Sequence, residues 1–304
     1  MYDLIIIGGG PAGITAGIYS ARKKLNTLLI TKDPIGQVGK IREIENWPGI
    51  EKISGMELMQ KLSNHLKKFK IEIKDGEEAK EIRKNEDIFE IEAKTGNKFD
   101  SRTVIIASGR NQRPLGVPGE KEFIGKGVSY CSICDAPFFK DKTVAVIGGG
   151  NAGLMTVLDL IPYAKKIYVF ETSSKLRADE VFQEKAKNSG KVEIIFTAMA
   201  KEIKGKEKVE KLIYQDLISK EIKELPLDGI FVEIGSLPAT NFVKDLVDFS
   251  QAGDIVINPK TCETKTLGLF AAGDVTDIAY KQMIIAAGEG AKAALSAYNY
   301  LQTR

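Results

Sequence analysis

One pattern is written twice in this chain, and it limits the possible folds more than any other feature. A short apolar strand runs into three glycines and then a helix. It occurs first at residues 3–7 with Gly8-Gly9-Gly10-Pro11-Ala12-Gly13, then at residues 143–147 with Gly148-Gly149-Gly150-Asn151-Ala152-Gly153. After the first turn, Ile14, Ala16, Ile18, Tyr19 and Ala21 make a helical face and residues 27–31 read as the next strand. After the second, residues 154–161 start a helix and residues 167–170 form a strand ending at Glu171. Strand, glycine turn, helix, strand is the dinucleotide-binding unit. One glycine makes the tight turn, one lets backbone N–H groups approach a pyrophosphate, and one lets the helix pack close to the strand. The helix N-terminus adds partial positive charge. Two copies roughly 140 positions apart indicate an internal duplication. The expected fold class is α/β, with two Rossmann-like domains.

A chain of 304 residues has room for two such domains, each with its own core. Apolar content of 43% and charged content of 28% are ordinary for a globular protein. The run Leu4-Ile5-Ile6-Ile7 is too short for a membrane span and lacks the basic start and cleavage site of a signal peptide. We therefore expect no membrane association and a cytoplasmic location. The net charge of +3 is spread without a dense basic block, which argues against nucleic-acid binding and suits an acidic protein partner.

Between these landmarks, residues 54–70 read as an amphipathic helix, with the lone His65 as a solvated residue on it. Residues 71–103 read as an antiparallel meander on the parallel sheet. Residues 103–109 form a buried strand running into Ala107-Ser108-Gly109, and residues 110–120 a crossover. A strand at 228–234 precedes a turn at 235–240. A last strand runs into Gly273-Asp274, and a helix at 281–301, rich in alanine and glycine, suits tight packing.

The chemistry lies between the two turns, at Cys131-Ser132-Ile133-Cys134-Asp135. Two thiols three positions apart can close into one disulfide, and in a reducing compartment such a pair cycles instead of serving as a staple. Half of a zinc site is the competing explanation. A structural site needs four ligands, which Cys262 and His65 cannot complete, so we expect no metal. Cys262, between Thr261 and Glu263, reads as incidental. Asp135 is either an acid/base for the pair or a first-turn helix acid.

These residues together resemble the low-molecular-weight thioredoxin reductases over nearly the whole chain. The resemblance rests on Gly8–Gly13, Gly36-Gln37-Val38, Glu45-Asn46-Trp47-Pro48-Gly49, Ala107-Ser108-Gly109, the CxxC with Asp135, Gly148–Gly153, and Gly273-Asp274-Val275 before Lys281-Gln282-Met283. It implies a discontinuous FAD-binding domain at 1–113 and 244–304, with a pyridine-nucleotide-type domain carrying the CxxC inserted at 114–243. It also implies a homodimer and thioredoxin as partner. By the same resemblance Gly8, Gly10, Pro11, Ala12 and Gly13 hold the FAD pyrophosphate, with Gly36, Ala107, Gly109 and Gly273 in the supporting turns. Gln37 and Asn46 approach the flavin, Asp274 bonds the ribityl chain, and Gln282 and Met283 lie near the isoalloxazine. Lys281 departs from the family's arginine. Cys134 becomes the flavin-proximal thiol, Cys131 the interchange thiol, and Asp135 the acid that protonates the departing thiolate.

Two departures bear on the electron donor. Where the family carries cations for a 2′-phosphate, this chain has Glu171-Thr172-Ser173-Ser174-Lys175-Leu176-Arg177, and only Arg177 fits the pattern. An acid there suits a ribose 2′-hydroxyl and repels a 2′-phosphate. Where the family places two acids after the glycines, this chain has Met155 and Thr156. Both departures make NAD(P)H doubtful. They set ferredoxin ahead as donor, with a reduced deazaflavin, NADH and NADPH as the alternatives. The sequence shows no second CxxC ahead of the first turn, which favours a separate carrier over a fused alkyl-hydroperoxide-type arrangement. A purely regulatory flavin-binding protein is disfavoured because both cysteines and Asp135 are present.

Overall fold

The structure is a computed structural model that describes residues 1–41 and 43–303. It divides into two compact units: residues 1–111 with 237–304, and residues 112–236.

The first unit opens with β1 (Tyr2–Ile7), α1 (Pro11–Arg22) and β2 (Thr27–Thr31). Leu4, Ile5, Ile6, Leu28 and Ile30 have no exposed surface, as expected for parallel strands covered on both faces. Pro11 sits in the first turn of α1, where its fixed φ suits a helix and its missing N–H costs nothing. α2 (Gly55–Leu66) begins at Ser54, whose Oγ accepts the Glu57 N–H at 3.2 Å. That cap contributes about 1 kcal/mol. β3 (Glu72–Asp75), β4 (Ala79–Asn85), β5 (Ile88–Ala93) and β6 (Lys98–Ile106) give the sheet order β3-β2-β1-β6-β5-β4.

The meander expected at 71–103 is corrected at its start. β3 pairs parallel with β2, Ile73 opposite Leu29, so it is the parallel edge strand; β4, β5 and the first half of β6 alone are antiparallel. A four-residue strand beside polar turns carries no periodicity that separates the two arrangements.

β7 (Arg110–Gln112) leads out of the first unit and pairs with the returning β16 (Ser236–Pro238). The second unit contains β8 (Val128–Ser129), α3 (Ser132–Asp135), β9 (Thr143–Ile147), α4 (Asn151–Leu160), β10 (Lys166–Phe170), α5 (Glu180–Asn188), β11 (Val192–Ile195), β12 (Ala198–Gly205), β13 (Val209–Asp216), β14 (Ile222–Pro226) and β15 (Gly229–Val232). Its central sheet is wholly parallel, in the order β11-β10-β9-β15-β8. Leu154, Val157 and Leu160 of α4 belong to the core on one face. The antiparallel β12-β13-β14 sheet supplies the other through Ile203 and Leu212, with Tyr214 edge-on to Phe170 at 5.0 Å. This is a three-layer ββα arrangement. The chain then returns to β17 (Leu269–Ala271), parallel on β6, and α6 (Met283–Gln302).

The return to the first unit comes at residue 237, ahead of the expected 244. Residues 239–243 are tied into the first unit: Ser108 Oγ donates to the Ala239 carbonyl, the Ile82 N–H donates to the Phe242 carbonyl, and Val243 is buried in its core. Gln112 and Arg113 fall to the second unit, where Gln112 Nε2 donates to the Tyr130 carbonyl at 2.6 Å. α6 starts two residues later than expected because Gln282, at its N-cap position, is still extended.

Candidate active site

The first glycine turn is built by exclusion. Gly8 has φ +116°, and a Cβ there would lie 2.2 Å from the Ala107 carbonyl oxygen. A Cβ at Gly13 would lie 1.8 Å from the Gly8 carbonyl oxygen. Neither position admits a side chain. Gly10, by contrast, faces open space. α1 has no side-chain cap and no acid in its first turn, so its N-terminal end favours an anion. Beside Gly9 and Thr31 a cavity of about 200 Å³ is lined by Ile14, Leu29, Met59 and Asp75. The cradle therefore fits a dinucleotide pyrophosphate.

A second group of expected site residues gathers where the loop after β17 meets α6. A Cβ at Gly273 would lie 3.1 Å from Ala12 Cβ, so this turn abuts the first. Gln37, after Gly36 in its left-handed conformation (φ +56°), donates to the Arg110 carbonyl, and Gly109 turns the chain before Arg110 with φ +64°. The Arg110 guanidinium donates to Asp254 and, at 3.3 Å, to the Asp274 carbonyl. Lys281 donates to the Thr276 carbonyl and lies 3.8 Å from Asp254. Burial pushes the Asp274 carboxyl up, with Lys281 and Arg110 pulling it back. Asn46 Nδ2 donates to Gln282 Oε1 at 3.2 Å, and Met283 packs against the cluster of Ile44, Ile53 and Leu58. Sequence reasoning misses Arg110 and Asp254, because neither lies in a motif and they meet across 144 positions.

In the second unit Cys131 and Cys134 form a disulfide with their Cα atoms 5.3 Å apart. Cys131 is half-buried and Cys134 exposed. The Cys134 N–H points at Cys131 Sγ, 3.3 Å away. Asp135 is half-buried and accepts the Ser129 hydroxyl at 2.6 Å. Ser129 Oγ also accepts the Cys131 N–H at 3.0 Å, so one hydroxyl joins the acid to the backbone of the redox pair. Ser132, between the cysteines, donates to Asp159 of α4 at 2.7 Å. Ser129 is a site residue that the sequence does not announce.

The second glycine turn repeats the first. Gly148 has φ +122° and would clash with the Glu233 carbonyl oxygen at 2.1 Å; Gly153 would clash with the Gly148 carbonyl oxygen at 1.9 Å. Glu171, 2% exposed, reaches into this turn. Its Oε2 accepts the Gly149 N–H at 3.0 Å, its Oε1 accepts the Ser173 N–H at 3.0 Å, and the Arg177 guanidinium lies 3.5 Å away. Burial pushes this carboxyl up, but the Ser173 and Gly149 N–H groups, the Arg177 charge and the Thr172 hydroxyl together hold it below the ordinary value. Met155 is half-buried, and the buried Thr156 donates to Glu233 Oε1 at 3.0 Å. The turn therefore keeps a carboxylate next to α4, supplied from the end of β15 instead of from the helix.

Cys262, in a polar stretch of sequence, is fully buried in the first core with φ +61°. Burial pushes its thiol up to about 12. Among the described residues no cluster of three or more His, Cys, Asp or Glu could hold a metal ion. Nor is any described helix long and apolar enough to cross a membrane.

Two dinucleotide turns flanking one closed CxxC are the parts of a disulfide oxidoreductase. Comparison with known proteins agrees: residues 2–291 match the pyridine nucleotide-disulphide oxidoreductase family, and the chain belongs to it. It is 42% identical over 304 residues to a Pseudomonas aeruginosa alkyl hydroperoxide reductase subunit, covering 99% of this chain and 58% of that protein. The chain thus spans a little over half the length of the curated relatives it matches. Its structure is similar to Lactococcus lactis thioredoxin reductase, with TM-score 0.94, 36% identity and full coverage of both chains. It is also similar to T. acidophilum thioredoxin reductase, with TM-score 0.90, 34% identity and 98% of each chain covered.

Proposed function

We propose that this chain is an FAD-dependent disulfide reductase that passes an electron pair from a reduced nicotinamide dinucleotide to the Cys131–Cys134 disulfide, and from there to the disulfide of a thioredoxin-type carrier. The observation that carries this is the closed CxxC with Ser129 linking Asp135 to Cys131.

Gly8, Gly10 and Gly13 would hold the pyrophosphate of FAD, and Asp274, Gln37, Asn46, Gln282 and Met283 would line its flavin end. When bound, the flavin supplies the electron pair that opens the disulfide. The chain's own residues do the rest. Cys131, with a backbone N–H aimed at its sulfur, attacks the carrier disulfide as its thiolate. One carrier sulfur leaves as thiolate, and Asp135, held by Ser129, supplies its proton. Cys134 then attacks the mixed disulfide, the Cys131–Cys134 bond reforms, and the second carrier sulfur is released. Two electrons and two protons are passed on.

The sequence favours ferredoxin as donor; the placement of Glu171 and Glu233 favours a nicotinamide instead. Glu171 is poised over Gly149, where a ribose hydroxyl donates to an acid, so NADH is preferred over NADPH. The similarity to alkyl hydroperoxide reductase supports a second carrier, one linked to peroxide removal, served by the same disulfide. A cycling dithiol belongs in a reducing compartment, so we place the protein in the cytoplasm; the homodimer rests only on the resemblance carried by the sequence.

The test is stepwise anaerobic reduction. Cys131→Ser should leave FAD bound and reducible by NADH while carrier reduction falls at least about a thousandfold. Carrier reduction that survives in this variant rules out the dithiol route.

A further inference from the structure

The first glycine turn is braced from behind by an acid that no step above uses. Glu289 lies on α6 and is 3% exposed. Its Oε2 accepts the Gly273 N–H at 2.9 Å and faces the Thr276 hydroxyl at 3.5 Å. Its Oε1 is buried with no hydrogen-bond partner, the only such side-chain atom among the described residues. The next residue, Gly290, packs so close that a Cβ would lie 2.0 Å from the Ala12 carbonyl oxygen. The carboxyl therefore sits on the Gly273-Asp274 corner, while the residue after it packs on the start of α1.

An ionised carboxylate here would place a buried, half-satisfied charge beside the site for two phosphates. Burial makes that expensive and like charge makes it worse. The charged or titratable groups facing it do not offset this. Lys292, one turn along α6, donates to the Pro259 carbonyl, and Lys281 is engaged by the Thr276 carbonyl and Asp254. The Cys262 thiol lies 3.7 Å from the Glu289 backbone carbonyl, and Asp274 adds a further acid. The first turn of α1 brings no acid, and β17 carries no charged residue. Burial pushes the Glu289 carboxyl up; the Gly273 N–H, Lys292, the Thr276 hydroxyl and Lys281 pull it down by less.

We propose that Glu289 is a positioning residue that works as a neutral acid: uncharged, it holds the Gly273 N–H and so sets Asp274 beside bound FAD, whereas ionised it repels the FAD phosphates. This rests on FAD occupying the first turn. FAD binding then favours the protonated side chain, and affinity for FAD falls as pH rises.

The experiment measures FAD release from the holoenzyme by flavin fluorescence as pH is raised from the ordinary carboxylate range at about 4.3 to about 9, the direction in which burial moves this group. In the unmodified protein the FAD Kd should rise at least about tenfold across that range. Glu289→Gln, neutral and of the same size, should match the low-pH affinity within about threefold and show no pH dependence. Glu289→Ala should bind about tenfold more weakly at every pH. An infrared band of a protonated carboxyl, lost in Glu289→Gln, should accompany the low-pH state. A flat profile in the unmodified protein, or a Gln variant that binds no better than the Ala variant, overturns the proposal. If Glu289→Ala does not fold, the Gln profile and the infrared band decide alone. An unmodified protein without FAD at any pH is a different result: it removes the FAD site itself, and this proposal with it.

Discussion

The two glycine turns share a backbone and differ in what stands opposite their second glycine. Gly13 and Gly153 approach the carbonyls of Gly8 and Gly148 to nearly the same distance, and Gly8 and Gly148 take nearly the same φ. A Cβ on Gly9 would meet Thr31 Oγ1 at 2.8 Å, whereas one on Gly149 would meet Glu171 Oε2 at 2.7 Å. Thr31 spends its hydroxyl on the Asp33 carbonyl; Glu171 brings a buried charge into the turn. On the function proposed above, the turn would recognise a phosphate through backbone and helix end, and the tip of the next strand and what closes over the turn, Gly273 and Gly290 at the first, would decide which dinucleotide it takes.

Four experiments test this difference and what surrounds it. The largest effect is expected from filling the turns. Gly13→Ala should strip FAD from the protein, and Gly153→Ala should keep FAD while lowering NADH kcat/KM about a hundredfold, as a displacement of about 1 Å can. Flavin absorbance per chain and anaerobic bleaching separate the two. Equal loss of FAD in both variants would erase the distinction. A smaller effect is expected from Glu171→Gln, which should raise the NADH KM about tenfold, leave kcat, and improve NADPH because Arg177 is no longer neutralised. Since Glu171 is held below the ordinary carboxylate range, the NADH KM of the unaltered protein should stay flat as pH falls from neutrality toward ~4.3 and rise only below that. The smallest effect contrasts thiols. Cys262, raised to about 12 by burial, should resist alkylation in the native protein at neutral pH and react on unfolding, whereas reduced Cys131 should react at once.

Much of this was legible in the chain because local rules govern it. Apolar runs ending in glycine mark parallel strands, and the CxxC announces its own disulfide. Contacts that depend on the path of a turn or on distant pairs were not. Ser129 meets Asp135 across the short turn between β8 and α3, which no residue pattern marks. Thr156 looked like the loss of an acid until β15 brought Glu233 to it from 77 positions away. The boundary at 237 depends on backbone bonds from residues 239–243 to β4 and to the end of the first sheet, which no composition change signals. Cys262 reads as incidental from its polar neighbours; that it is buried, on a left-handed backbone, is a matter of tertiary packing the local sequence does not carry.

β6 carries a consequence for how this protein is made. Its residues 104–106 pair with β1 on one side and with β17 on the other, and β17 lies more than 160 residues downstream. On the ribosome that edge stays bare while the inserted unit, a single uninterrupted stretch, emerges and can close by itself. The nascent chain thus exposes a sticky apolar strand throughout that interval. A chain lacking residues 112–236, with residue 111 joined to residue 237, would bring β17 far closer behind β6 in translation, and should shorten it.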